Sequence, residues 1–224
     1  MPTYEELGFG RGAALTGDRA KSVFGQVMGL VGLTMLFCAL GAYIMRHSSG
    51  AGYFFFFIGA FGCIFLMNGA VRRGNEQLAL VALFGMGLLL GMAIGPIVNF
   101  YATNSPGVVY QAAGTTAIGT GLLGAIGYTT QRDLSSWLKP LMIALIVVMI
   151  GGLIAMLLAI PGAHLVYCIL ALAVISGLTI FDFNRLARTG DHQMAIPIAA
   201  SIFLDIFNIF MLLLSIFGGG GNRR

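Results

Sequence analysis

Long apolar runs broken by short polar patches fill most of the chain. Each run is close to the ~20 residues that a helix needs to cross a bilayer. Charges, prolines and Asn/Ser/Gly clusters mark the breaks. This pattern predicts seven spans, over about Val23–Met45, Gly52–Val71, Leu78–Ala102, Val108–Thr130, Leu138–Ile160, His164–Phe183 and Ala195–Phe217. Only Thr103-Asn104-Ser105-Pro106-Gly107 separates the third from the fourth, and only Pro161-Gly162-Ala163 the fifth from the sixth, so consecutive helices are expected to be neighbours. Residues 1–22 are polar and mixed in charge, and the apolar run that follows is too long for a signal-peptide core. The expected organisation is an N-terminal tail over 1–22, one seven-helix transmembrane domain over 23–217 and a short tail over 218–224.

Composition narrows the class. Of 224 residues, 58% are hydrophobic and 9% charged, against ~45–50% and ~25% in a soluble domain. So few charges cannot cover a soluble core of this size, and the fold class expected is an all-α integral membrane protein. Cys38, Cys63 and Cys168 all lie in apolar runs with no Cys-x-x-Cys, which argues for packing rather than metal or redox chemistry. The net charge of +4 does not imply nucleic acid. In a membrane protein it encodes orientation. With the N-terminus inside, Arg11, Arg19, Lys21, Arg72, Arg73, Arg132, Lys139, Arg185 and Arg188 fall inside and Arg46, Arg223 and Arg224 outside, so a cytoplasmic N-terminus is expected. Charge alone leaves open whether the last segment spans fully or re-enters.

Two stripes of small residues stand out. Gly87, Gly91 and Gly95 recur on span three, and Ala113, Ala117, Gly121 and Ala125 on span four. Such faces let helix backbones approach closely in lipid, so both are expected to be packing seams.

Two carboxylates fall inside the spans, and a charge there is costly enough to make function the default reading. Asp205 lies mid-span, ~15 Å deep at 1.5 Å per residue, in a polar stripe with Ser201 and Asn208. Asp182 nears the end of span six, in a stripe with Ser176 and Thr179. Arg72 and Arg73 end span two on the same side; one is expected to anchor at the headgroups and the other to pair with Asp182. His47, His164 and His192 fall in loops or at span ends and read as solvated. No Ser/His/Asp set, metalloprotease motif, Walker loop or nucleotide fingerprint is present, so neither an enzyme nor a cofactor is expected.

Four motifs, in order, resemble the Bax inhibitor family. Gly95-Pro96-Ile97-Val98-Asn99-Phe100-Tyr101 is similar to the end of its third helix, and Thr129-Thr130-Gln131-Arg132-Asp133-Leu134-Ser135 to its Lys/Arg-Asp-Leu/Met-Ser loop. Ile180-Phe181-Asp182-Phe183-Asn184-Arg185 resembles its aromatic-Asp-x-Gln/Asn signature. Ser201-Ile202-Phe203-Leu204-Asp205-Ile206-Phe207-Asn208-Ile209-Phe210 resembles its last-helix motif. Asn99, Phe100 and Tyr101, with Ala163-His164-Leu165, look most like the bacterial YccA-type branch.

The resemblance implies six helices around a central last helix, in a bacterial inner membrane. It implies a pH-sensitive passive calcium leak in which Asp182 and Asp205 form a hydrogen-bonded proton sensor, with calcium or another cation passing transiently beside them. An Arg that latches the first Asp maps onto Arg73. Some members carry a Glu in helix two, where this chain has Phe61-Gly62-Cys63. Some YccA-type members lack the second Asp and are linked to inhibition of a membrane-anchored AAA protease; this chain keeps Asp205. The expected function is therefore the leak. The alternative is a non-conducting regulator of such a protease or of a stress partner, with the tail over 1–22 as its contact. A proton-coupled transporter would share the same carboxylates.

By depth, Asp182 sits near the interface and Asp205 near the midplane. Contact requires span six to run on past Arg185 or span seven to loosen near Pro197.

Overall fold

A computed structural model describes residues 9–48, 53–158 and 162–219. The ends of both predicted tails and the turn residue Pro161 lie outside the described residues. The chain forms α1 (Phe9–Met45), α2 (Tyr53–Arg72), α3 (Glu76–Asn104), α4 (Pro106–Thr129), α5 (Leu138–Leu157), α6 (Ala163–Arg188) and α7 (Ala195–Gly219), with single 3₁₀ turns at Ser135–Trp137 and His192–Met194. Among the described residues there is no strand. Six of the helices are long and apolar enough to cross a membrane; the exception is α4, whose Thr and Gly content lowers its hydropathy.

The ends of the helices follow from local chemistry. Gly74 and Gly162 take φ of 69° and 77°, the left-handed region open to glycine, and turn the chain between α2 and α3 and into α6. Asn75 caps α3, its side chain accepting from Leu78 N at 3.0 Å. Pro106 stands at the start of α4, where no N–H is needed.

Two helices run more than two residues beyond the predicted spans. α1 has 37 residues and begins at Phe9, so much of the expected tail is a helical continuation of the first span. α6 continues to Arg188, past the predicted end at Phe183.

The helix α7 is central. It packs against α1, α3, α4 and α6, while α2 lies outside α3 and α5 outside α6. The seam of α1 and α3 is built by the first small-residue stripe. Gly87, Gly91 and Gly95 face the backbone of Thr34, Cys38 and Ala42, one helical turn apart on α1, and a methyl placed on Gly95 would come within 2.6 Å of Ala42 O.

The second stripe does not pack this way. Ala113, Ala117, Gly121 and Ala125 are exposed. They line two cavities of about 500 and 440 Å³ between α1 and α4, both also bordered by α7. The residues that seat α4 are Ala112, Thr116, Thr120, Gly124 and Gly127 instead. The Thr116 and Thr120 hydroxyls donate to Ala112 O and Thr116 O of their own helix, both at 2.7 Å, so these threonines can be buried without an outside partner.

Candidate functional site

Where α6 and α7 cross, the Asp182 and Asp205 carboxyls stand within hydrogen-bonding reach of each other. Asp182 is 6% and Asp205 7% exposed. Thr179, on the turn of α6 before Asp182, is fully buried and lies beside Asp205; Ser201, on the turn of α7 before Asp205, lies beside Asp182. A hydroxyl has one proton. Here Thr179 gives its proton to Ile175 O at 2.9 Å and Ser201 to Ile198 O at 3.1 Å. Asp205 Oδ2 is fully buried with no hydrogen-bond partner. Two carboxylates offer each other only acceptors, so close contact between them calls for a shared proton.

The depth difficulty is resolved by the first of its two routes. Because α6 continues to Arg188, Asp182 lies six residues, or about 9 Å, inside its end, against ten residues, or about 15 Å, for Asp205 inside the start of α7. Side chains on two crossing helices span the remainder.

The other expected site residues are distributed differently. Ser176 is half-buried on α6 and bonds Leu172 O at 2.7 Å. Asn208 is exposed and faces a cavity of about 480 Å³ between α2, α5, α6 and α7, whose lining includes Phe61, Met149, Tyr167 and Ser215 but neither Asp.

The expected latch is not formed. Arg73 is exposed in the turn after α2, a helix that packs on α3, whereas Asp182 stands on α6. The positive charge beside Asp182 is Arg185, one turn along its own helix. Spacing placed Arg73 at the right end of the bundle but carried no information on which helices would be neighbours.

Two interactions escaped the sequence reading. His192, expected to be solvated, has Nδ1 2.7 Å from Gln26 Oε1, joining the α6–α7 connection to α1. His164 lines the cavity below α2, with Nε2 3.8 Å from Cys168 Sγ. A larger omission is Asn184. It is 2% exposed, accepts from Leu134 N and Arg188 Nε, and donates to Gly127 O and Thr130 O. Its place inside the Asp182 signature was the available signal.

A helical membrane bundle with two facing carboxyls buried between α6 and its central helix is the class that these observations define. The family model described as "Inhibitor of apoptosis-promoting Bax1" matches residues 20–223, and the chain belongs to this family. It is similar to an uncharacterized membrane protein of Vibrio cholerae, 36% identical over 146 residues, which are 64% of this chain and 65%, just under two thirds, of that protein. It is 29% identical over 194 residues to the modulator of FtsH protease YccA of Escherichia coli K12, covering 84% of this chain and 86% of YccA. The inner membrane protein YccA of Escherichia coli O6:H1 matches to the same extent. The apolar helices and these relatives support a multi-pass inner-membrane protein.

Proposed function

We propose that the protein is a pH-sensitive passive leak for calcium or other cations, with Asp182 and Asp205 as its proton-dependent gate. The observation that carries this reading is the buried carboxyl pair with its unpartnered Asp205 oxygen. A shared proton ties α6 to α7. Removing it leaves two negative charges in contact in a poorly solvated place, which favours separation of the helices or entry of a cation between them. A carboxylate pair suits calcium, a hard cation that prefers oxygen ligands. The end of the bundle that carries Arg72, Arg73, Arg132, Lys139, Arg185 and Arg188 faces the cytoplasm in this reading, together with the N-terminus.

The test is ion flux into liposomes holding the purified protein, measured between roughly pH 5 and 8, the range across which a coupled carboxyl pair can titrate. Asp205→Asn should leave the fold intact and flatten the pH profile. An unchanged profile in a well-folded variant removes Asp205 from the mechanism. For orientation, a membrane-impermeant thiol reagent should label a cysteine placed at Asn104 from outside and one at Gly190 only from inside.

The name of the Escherichia coli relative favours a second reading, a regulator of a membrane-anchored AAA protease that conducts nothing. The helix continuing α1 back to Phe9 would be the element to reach such a partner. Deleting residues 1–22 should abolish regulation of the protease and leave a leak untouched.

A further inference from the structure

The apolar run of span six ends at Phe183, yet α6 stays helical through Asn184, Arg185 and Arg188, with Leu186 buried between them. Asn184 is the residue of this turn that binds another segment most fully. Its amide uses all its hydrogen-bonding capacity. Nδ2 donates to Gly127 O at 3.2 Å and to Thr130 O at 2.8 Å, while Oδ1 accepts from Leu134 N at 3.2 Å and from Arg188 Nε at 3.2 Å. Arg188, one turn on, also donates from Nη2 to Gln131 O. Carbonyls at the end of a helix lack partners in their own helix and attract positive charge. Asn184 and Arg188 therefore cap α4 from a different helix and fasten the loop that follows it.

The backbone approach beneath this contact is close. A methyl on Gly124 would meet the Phe183 ring at 3.0 Å, and one on Gly127 would run into Ile180 O. Phe183 is buried in this seat. The clamp thus fixes how far α6 extends and how it is rotated. Asn184 and Arg188, four residues apart, share one face, turned to α4. Asp182, two residues before Asn184, lies about 200° round the helix at 3.6 residues per turn, on the side of α7.

We propose that Asn184 and Arg188 are positioning residues for the carboxyl pair: the clamp to α4 and its loop holds Asp182 at the depth and rotation that bring it to Asp205. This rests on the pair being the working site. The charges around Asp182 are few. Asp205 faces it from α7 and Arg185 lies on its own helix. The helix α4 carries no charged residue, α1 carries none from Ser22 to Met45, and Lys139, the single charge on α5, is exposed. A change in the titration of Asp182 on loosening the clamp is then a change in its burial or in its distance from Asp205 or Arg185.

The experiment follows the infrared stretching band of protonated carboxyl through a pH titration of the full chain in liposomes. The band of the pair is identified as the one lost in Asp182→Asn. In Asn184→Leu, similar in size but without the amide, the midpoint should move by about one pH unit or more, onto the value for Asp182 in Asp205→Asn. Arg188→Gln should move it in the same direction by less. A folded Asn184→Leu protein that titrates like the parent overturns the proposal. Should that variant fail to fold, Arg188→Gln decides, and an unmoved midpoint overturns it. Absence of any carboxyl band lost in Asp182→Asn also overturns it, since no pair would exist to position. Flux measured alongside separates the two readings. A band that responds to Asn184→Leu with no pH-dependent flux in the parent removes the leak and keeps the clamp. A normal flux profile in Asn184→Leu keeps the leak and removes the clamp.

Discussion

The small-residue stripes of α3 and α4 look alike along the chain and do different work. On α3, Gly87, Gly91 and Gly95 are buried against the α1 backbone. On α4, Ala113, Ala117, Gly121 and Ala125 border open grooves, and the helix is seated by the neighbouring face that carries Gly124 and Gly127. The difference lies in the partner. Around α3 a whole helix lies parallel at close range. Facing the α4 stripe, α1 meets α4 near one end, where Phe24 and Tyr128 contact edge-to-face at 4.9 Å, and the space beyond is open. A small residue permits close approach; it does not supply the helix that approaches.

This contrast can be broken most directly at Gly91. Its added methyl would strike Cys38 O, a backbone atom that cannot rotate away. Gly91→Ala should destabilise the bundle by about 3 kcal/mol or more, read as a lower midpoint in denaturant titration in detergent; a parental midpoint would mean that the α1–α3 seam is looser than described. Gly127→Ala should cost about 2 kcal/mol for the same reason, against Ile180 O, and should also disturb the loop that Asn184 holds, read as faster proteolysis there. Gly121→Ala reverses the sign. Nothing lies within 4 Å of the added methyl, so only the helix propensity remains, a gain of up to about 1 kcal/mol. A loss of stability at Gly121 would show that a partner covers the groove under the conditions used.

A smaller effect belongs to the loop that the clamp holds. Asp133 Oδ1 accepts from Ser135 N at 2.9 Å and from Ser135 Oγ at 2.6 Å. These bonds, with a lesser contribution from Arg188, hold its carboxyl below the ordinary value. A depressed carboxyl in the folded state contributes stability above its unfolded value and loses it as the pH falls through the folded one. The difference in melting temperature between the parent and Asp133→Ala should therefore be present at neutral pH and vanish in acid. A difference that persists in acid would assign the effect to packing.

The spans were legible because hydropathy sums along a single segment and needs no knowledge of neighbours. Asp205 and Asp182 were legible for the same reason, an acid in an apolar run being conspicuous by itself. Arg73 shows the limit. It lies at the expected end of the expected helix, but α2 ends beside α3 and leaves it exposed. Asn184 shows the converse. A lone amide at a helix end reads as ordinary, and its weight comes from Gly127, Thr130 and Leu134, more than fifty positions away in most cases. Those bonds lie on the extra turn of α6, which was invisible to a rule that ends a span where apolarity ends.

By itself, then, the sequence determined the number of helices, their order and connections, and the two acids placed within apolar segments, since each is a property of one stretch of chain. Tertiary structure decided which small-residue face became a seam, which arginine stands near Asp182, and how far α6 runs before it turns. Those depend on the distance and rotation between helices, which arise only when backbone carbonyls, glycines and side-chain amides of different segments meet.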